Sequence, residues 1–97
     1  MINVGDFKKE VWGWAKELRV KPKEIHMRRT RKKWASCSTN GRLTFSYALL
    51  YKSYSYRSKA IVHELLHLRY KDHSKMFHSL LTSYLSKKGI KNISIKL

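Results

Sequence analysis

Between Ile61 and His73 the chain reads I-V-H-E-L-L-H-L-R-Y-K-D-H, and this run constrains the fold more than any other stretch. On an α-helix, residues four apart stand one turn apart on the same face, so His63 and His67 present their imidazoles together to a single ion. Glu64 projects about 100° round the helix, beside the pair, where a carboxylate can hold a water and take its proton. His73 lies too far along for the same helical face. The helix must therefore end near Tyr70-Lys71-Asp72, and the chain must turn back if His73 is to join the pair. Asp72 is the reserve donor, or else a support for the turn. Three protein donors with a fourth position left to water make a catalytic zinc site, not a structural one. The plainer reading is a buried amphipathic helix with incidental histidines, and the placement of the third histidine weighs against it.

Around this run the periodicities lay out the rest of the chain. Val4, Phe7, Val11, Trp14 and Leu18 repeat at three and four residues, predicting a helix from Gly5 to Arg19 with Asp6 at its start and Pro22 beyond its end. Residues 24–30 alternate as a strand, with Ile25 and Met27 on the dry side, and Trp34 to Ser38 reads as a second strand. Asn40-Gly41 is a hairpin signal, since both residues tolerate positive φ, and it leads to a third strand with Leu43, Phe45 and Tyr47 on one face. Ser53 or Ser55 caps the metal helix. Ser74 caps a last helix, whose Phe77, Leu80, Leu81, Tyr84 and Leu85 form an apolar stripe ending before Gly89. Ile93, Ile95 and Leu97 alternate in a short tail. The expected class is α+β: an N-terminal helix, a three-stranded antiparallel meander, a metal-binding helix and a C-terminal helix with a short tail, in one domain over residues 1–97.

Charge is the second strong feature. Lys and Arg number 22 against 6 Asp and Glu, a net charge of +16. Arg28, Arg29, Arg31, Lys32 and Lys33, with Lys21, Lys23 and Arg42, crowd one segment opposed only by Glu24. Such a stripe attracts phosphate polyanions by counterion release, and it is equally what a solvated basic surface looks like. No DNA- or RNA-reading motif accompanies it. Cys37, the single cysteine, excludes an internal disulfide. With no apolar signal segment and no long apolar run, the expected setting is the cytoplasm, away from membranes.

Trp34-Ala35-Ser36-Cys37-Ser38, Asn40-Gly41-Arg42-Leu43, His63-Glu64-Leu65-Leu66-His67-Leu68 and His73-Ser74-x-x-Phe77 together resemble the YgjP-like metallopeptidase family, compact zincins related to the SprT-like proteases. The resemblance spans about residues 24–85. It implies a small zincin-like domain with one zinc ion on His63, His67 and His73, Glu64 as general base, and a peptide or protein substrate lying along an edge strand. Ala35 stands where the family usually has Gly, and His78 where a Trp often follows the Phe. Position 70 is Tyr and not the Gly with which metzincins make their turn, so the reversal before His73 falls to Lys71-Asp72.

Two other functions suit the same residues. A basic rim around a metal site fits a nucleotide phosphohydrolase, and a zinc-stabilised basic module could bind nucleic acid, although that role leaves Glu64 unexplained. Cys37 reads as a packing residue of its strand and His78 as a helix-surface residue able to approach an oxyanion. The tail from Asn92 to Leu97 can close the core, or add to a sheet edge of its own or a neighbouring chain and so keep an enzyme latent.

Overall fold

A computed structural model of the chain describes residues 1–30 and 33–91. The expected tail strand, and Arg31 and Lys32 of the basic stripe, lie outside the described residues. Helix α1 runs Val4–Leu18. Its N-cap is Asn3, with Asp6 in the first turn as expected: the Asn3 side chain accepts the Asp6 amide at 2.8 Å and donates to the Asp6 carboxylate at 3.1 Å, a reciprocal pair that satisfies an otherwise orphaned donor. Phe7, Val11, Trp14, Ala15 and Leu18 form its buried stripe. The helix ends at Arg19, which takes the left-handed conformation (φ 57°) while its amide and that of Val20 bond back to the last turn.

Strands β1 (Glu24–Arg28), β2 (Ala35–Cys37) and β3 (Arg42–Ser46) form one sheet in the order β1-β3-β2. The β2–β3 hairpin is the expected one. It closes through Ser38 and Arg42, and only Gly41, at φ 88°, takes a positive angle; Asn40 does not. The expected antiparallel meander is corrected at β1, which pairs parallel to β3, so the sheet is mixed. Leu43 and Phe45 of β3 are completely buried, and a strand of that kind belongs in the centre, flanked on both sides. Thr30 and Trp34 are both tied to the end of β3: Ser46 donates its hydroxyl to Thr30 O at 3.1 Å and its amide to Trp34 O at 2.8 Å. Register then stacks Ile25, Leu43 and Cys37 in one row, and Met27, Phe45 and Ala35 in the next.

A second correction falls on Tyr47, which does not extend β3. The Ser46 hydroxyl accepts the Ala48 amide at 3.2 Å and turns the chain into a 3-10 helix over Tyr47–Tyr51. Helix α2 (Tyr54–Leu66) follows, capped by Ser53, and α3 (Lys75–Lys87) is capped by Ser74 as expected. Helix α2 lies against α1, α3 and β2, and every residue from Arg57 to Val62 is buried. One of the two charged members of that run, Arg57, makes a two-pronged bond to Glu10 of α1, both contacts at 2.9 Å, and a third to Lys52 O at 2.7 Å. The Phe7 and Phe45 rings meet edge to face at 5.2 Å, joining α1 to the sheet. Among the described residues no helix is long and apolar enough to cross a membrane.

Candidate metal centre

His63 sits on the last turn of α2, and His67 is its C-cap residue. The helix therefore stops earlier than expected, at Leu66, and tightens into bonds from His67, Leu68 and Arg69 to carbonyls three residues back. The turn to His73 uses no left-handed residue; Asp72 has ordinary negative φ, since Arg19 alone among the described non-glycine residues is positive. His73 immediately precedes the cap of α3. Its Nε2 lies 3.0 Å from His63 Nε2 and 3.0 Å from His67 Nε2. These three histidines are the one grouping of three or more metal-competent donors among the described residues, and Asp72 does not join it.

The other ring nitrogens explain why this cluster suits a cation. His67 Nδ1 faces the Tyr70 carbonyl at 3.0 Å, and His63 Nδ1 faces the Glu64 carboxylate at 2.9 Å. A carbonyl and a carboxylate only accept, so both Nδ1 atoms carry the proton. In the neutral rings both Nε2 atoms then present bare lone pairs to the same point. A proton on His73 Nε2 serves one of them at a time, whereas a cation serves all three. Donors about 2.0 Å from a tetrahedral zinc stand about 3.3 Å apart, close to the spacing seen. Imidazole nitrogens at this separation fit zinc, and the partners on Nδ1 are the outer support such ligands ordinarily have.

Phe77, fully buried, is the floor of the centre. Its ring lies 4.8 Å from that of His67, 5.0 Å from His73 and 5.3 Å from His63. The Ser74 hydroxyl accepts the Phe77 amide at 3.2 Å, so the helix cap sets the ring one turn inside α3. This is the physical content of the H-S-x-x-F spacing. His78 stacks on the outer side of His73, centroids 6.1 Å apart. Desolvation and the neighbouring His63, His67 and His78 rings push His73 below the usual imidazole range, with Glu64 pulling the other way.

Glu64 is buried, at 4% exposure, with its carboxylate against His63. Cys37 of β2 lines the cavity that also meets His67; burial raises its thiol above the usual range, and the Glu64 charge raises it further. That cavity, of about 720 Å³, runs from His67 along the β2–β3 turn. The basic stripe is not one surface. Lys21 and Lys23 line this cavity, Arg42 bonds to Glu24 at 2.8 Å, and Arg28, Arg29 and Lys33 line a separate, smaller cavity beside Ser36 and Thr44. Sequence reasoning missed the Tyr70 carbonyl, which as backbone leaves no mark in the sequence, and the part Phe77 plays under the rings.

Comparison with known proteins agrees with this geometry. The sequence matches the family described as YgjP-like, metallopeptidase domain, over residues 4–93. Among solved structures, the crystal structure of the metallopeptidase zymogen abylysin of Pyrococcus abyssi is similar to the chain with a TM-score of 0.66 at 16% identity, over 90% of this chain and 99% of that one. No curated protein sequence matches.

Proposed function

The chain belongs to the YgjP-like metallopeptidase family, and we propose that it is a zinc-dependent peptidase with His63, His67 and His73 as the metal ligands and Glu64 as the general base. The observation that carries this reading is the convergence of three Nε2 atoms, two of them bared by their Nδ1 partners, beside a buried carboxylate. A zinc ion held there supplies the positive charge that acidifies a water and offsets charge developing on a carbonyl oxygen. The protein's own groups do the rest. Tyr70 O and Glu64 fix the ring tautomers, and Phe77 fixes the ring planes. Glu64, the buried carboxylate beside the ligands, would take the proton of the attacking water and pass it to the leaving amine.

Strand β2 pairs with β3 alone among the described residues, so its other edge offers backbone groups to an extended peptide beside the centre. The test is a screen of unfolded proteins and peptides with zinc-loaded protein and its Glu64→Gln variant. Cleavage should fall at least about hundredfold in the variant at unchanged zinc content. Activity retained within about tenfold would remove Glu64 from the role.

A further inference from the structure

We propose that the cavity running from His67 along the β2–β3 turn is a substrate subsite for acidic side chains, making this a peptidase that selects glutamate- or aspartate-rich peptide segments; the proposal rests on the peptidase reading and adds its specificity. Five cations line the cavity: Arg19, Lys21, Lys23, Arg69 and Lys71. They come from three places in the chain, the end of α1, the approach to β1 and the turn after α2, and they enclose a concave space that begins at a metal ligand. No carboxylate lines it.

The acidic side chains of the protein leave these cations without neutralising partners. The sequence holds six. Asp6 is bonded to Asn3, Glu10 to Arg57, Glu24 to Arg42 and Glu64 to His63, and Glu17 lies 3.7 Å from Lys88. The sixth, Asp72, is exposed and does not line the cavity. None of the five cations has a carboxylate partner among the described residues. Among the described residues their charge is left unanswered and open to a ligand.

Two features show that the cations are placed there and not merely abundant. Arg19 occupies a left-handed helix end, where glycine is the usual residue and a side chain is disfavoured. Its carbonyl accepts a bond from Arg69 Nη2 at 2.9 Å, which ties the Arg69 guanidinium to the backbone at the end of α1. Opposite them Gly41 packs on the Lys23 stem so closely that a Cβ would come within 3.3 Å of it. The wall of the cavity is thus built around a lysine.

The shape selects peptide over nucleic acid. A duplex is about 20 Å across and reads protruding elements, not a cavity of about 720 Å³. A single strand needs aromatic faces for its bases, and no Phe, Tyr or Trp lines this one. Room for two or three carboxylate side chains, with Val20 and Leu68 to receive their methylenes, is what remains.

The test measures binding, so it does not depend on turnover. Zinc-loaded Glu64→Gln protein is titrated with a fluorescent glutamate-rich peptide and with the same peptide carrying glutamine instead. The glutamate peptide should bind at least about tenfold more tightly, the sum of several exposed ion pairs. Lys21→Glu/Lys23→Glu/Lys71→Glu should abolish that preference, while Lys8→Glu/Lys9→Glu/Lys16→Glu, an equal change of charge outside the cavity, should keep it within about twofold. A triple change to glutamine repeats the measurement should the reversal not fold. Equal binding of the two peptides, or equal loss in both triple variants, would overturn the proposal. So would a labelled oligonucleotide that binds more tightly than the peptide and depends on the same three lysines. Cleavage by the unmodified protein is scored separately: no cleavage with groove-dependent binding sinks only the peptidase reading, and cleavage indifferent to glutamate sinks only the groove.

Discussion

His63 and His73 bring their Nε2 atoms to 3.0 Å across a chain separation of ten residues that includes the end of one helix and stops just short of the cap of the next. Without a cation the proton on His73 Nε2 can serve only one of the two facing lone pairs, at the junction of two helices. Zinc should therefore act as a staple. Chelation should lower the melting temperature by at least about 5 °C, reversibly on adding zinc back. His73→Ala should weaken zinc binding far more than Asp72→Ala. A melting temperature indifferent to chelator, or the opposite order of the two variants, contradicts the ligand set.

Phe77 touches all three rings. Phe77→Leu keeps the site apolar and largely filled but removes the flat surface on which the imidazoles rest. Zinc affinity, measured by competition with a chromophoric chelator, should drop roughly tenfold or more, in the range seen for groups that orient metal ligands. Unchanged affinity would reduce Phe77 to core filling.

Arg57 is buried against a half-buried Glu10, and the contact with Glu10 holds its guanidinium above its usual value although burial opposes the charge. Arg57→Ala leaves Glu10 without its partner and should cost about 3 kcal/mol, read from urea unfolding. Glu10→Gln/Arg57→Met should lose less than the sum of the two single changes.

Cys37 gives a chemical reading of the Glu64 charge. Burial, then the carboxylate, holds the thiol protonated above the usual pH. Alkylation of metal-free protein should accordingly be slow at neutral pH and rise only at a pH above that of a free cysteine. In Glu64→Gln the rise should move to lower pH, because the neutral amide no longer opposes the thiolate. A rise at the same pH in both proteins would mean that the carboxylate does not reach the thiol.

The parts legible in the sequence were those encoded locally. The spacing of His63 and His67, the caps Ser53 and Ser74, the stripe of α1 and the glycine of the hairpin each depend on a few adjacent residues. The partner of β1 does not. Its outer face says that one side is wet, but nothing in Glu24–Arg28 tells whether β2 or β3 lies alongside, because that is decided by which strand the helices bury deepest. Tyr47 continued the alternation of β3 on paper, and a single hydroxyl at Ser46 ended it. The basic stripe looked continuous on paper, but β1 separates Lys21 and Lys23, before the strand, from Arg28 and Arg29 at its far end, and each pair lines a different cavity.

The burial of α2 on every side has an evolutionary consequence. The residues from Arg57 to Leu66 that carry the first histidine have almost no freedom to vary, since nearly every side chain there holds another element in place. The cations around the neighbouring cavity are solvent-facing, and exchanging such residues typically changes stability by no more than about 0.5 kcal/mol. Selection can thus retune what the protein recognises by drifting through neutral surface changes while the reaction centre stays frozen. Divergence between this protein and its descendants should accumulate at Lys21, Lys23 and Lys71 long before it touches the helix.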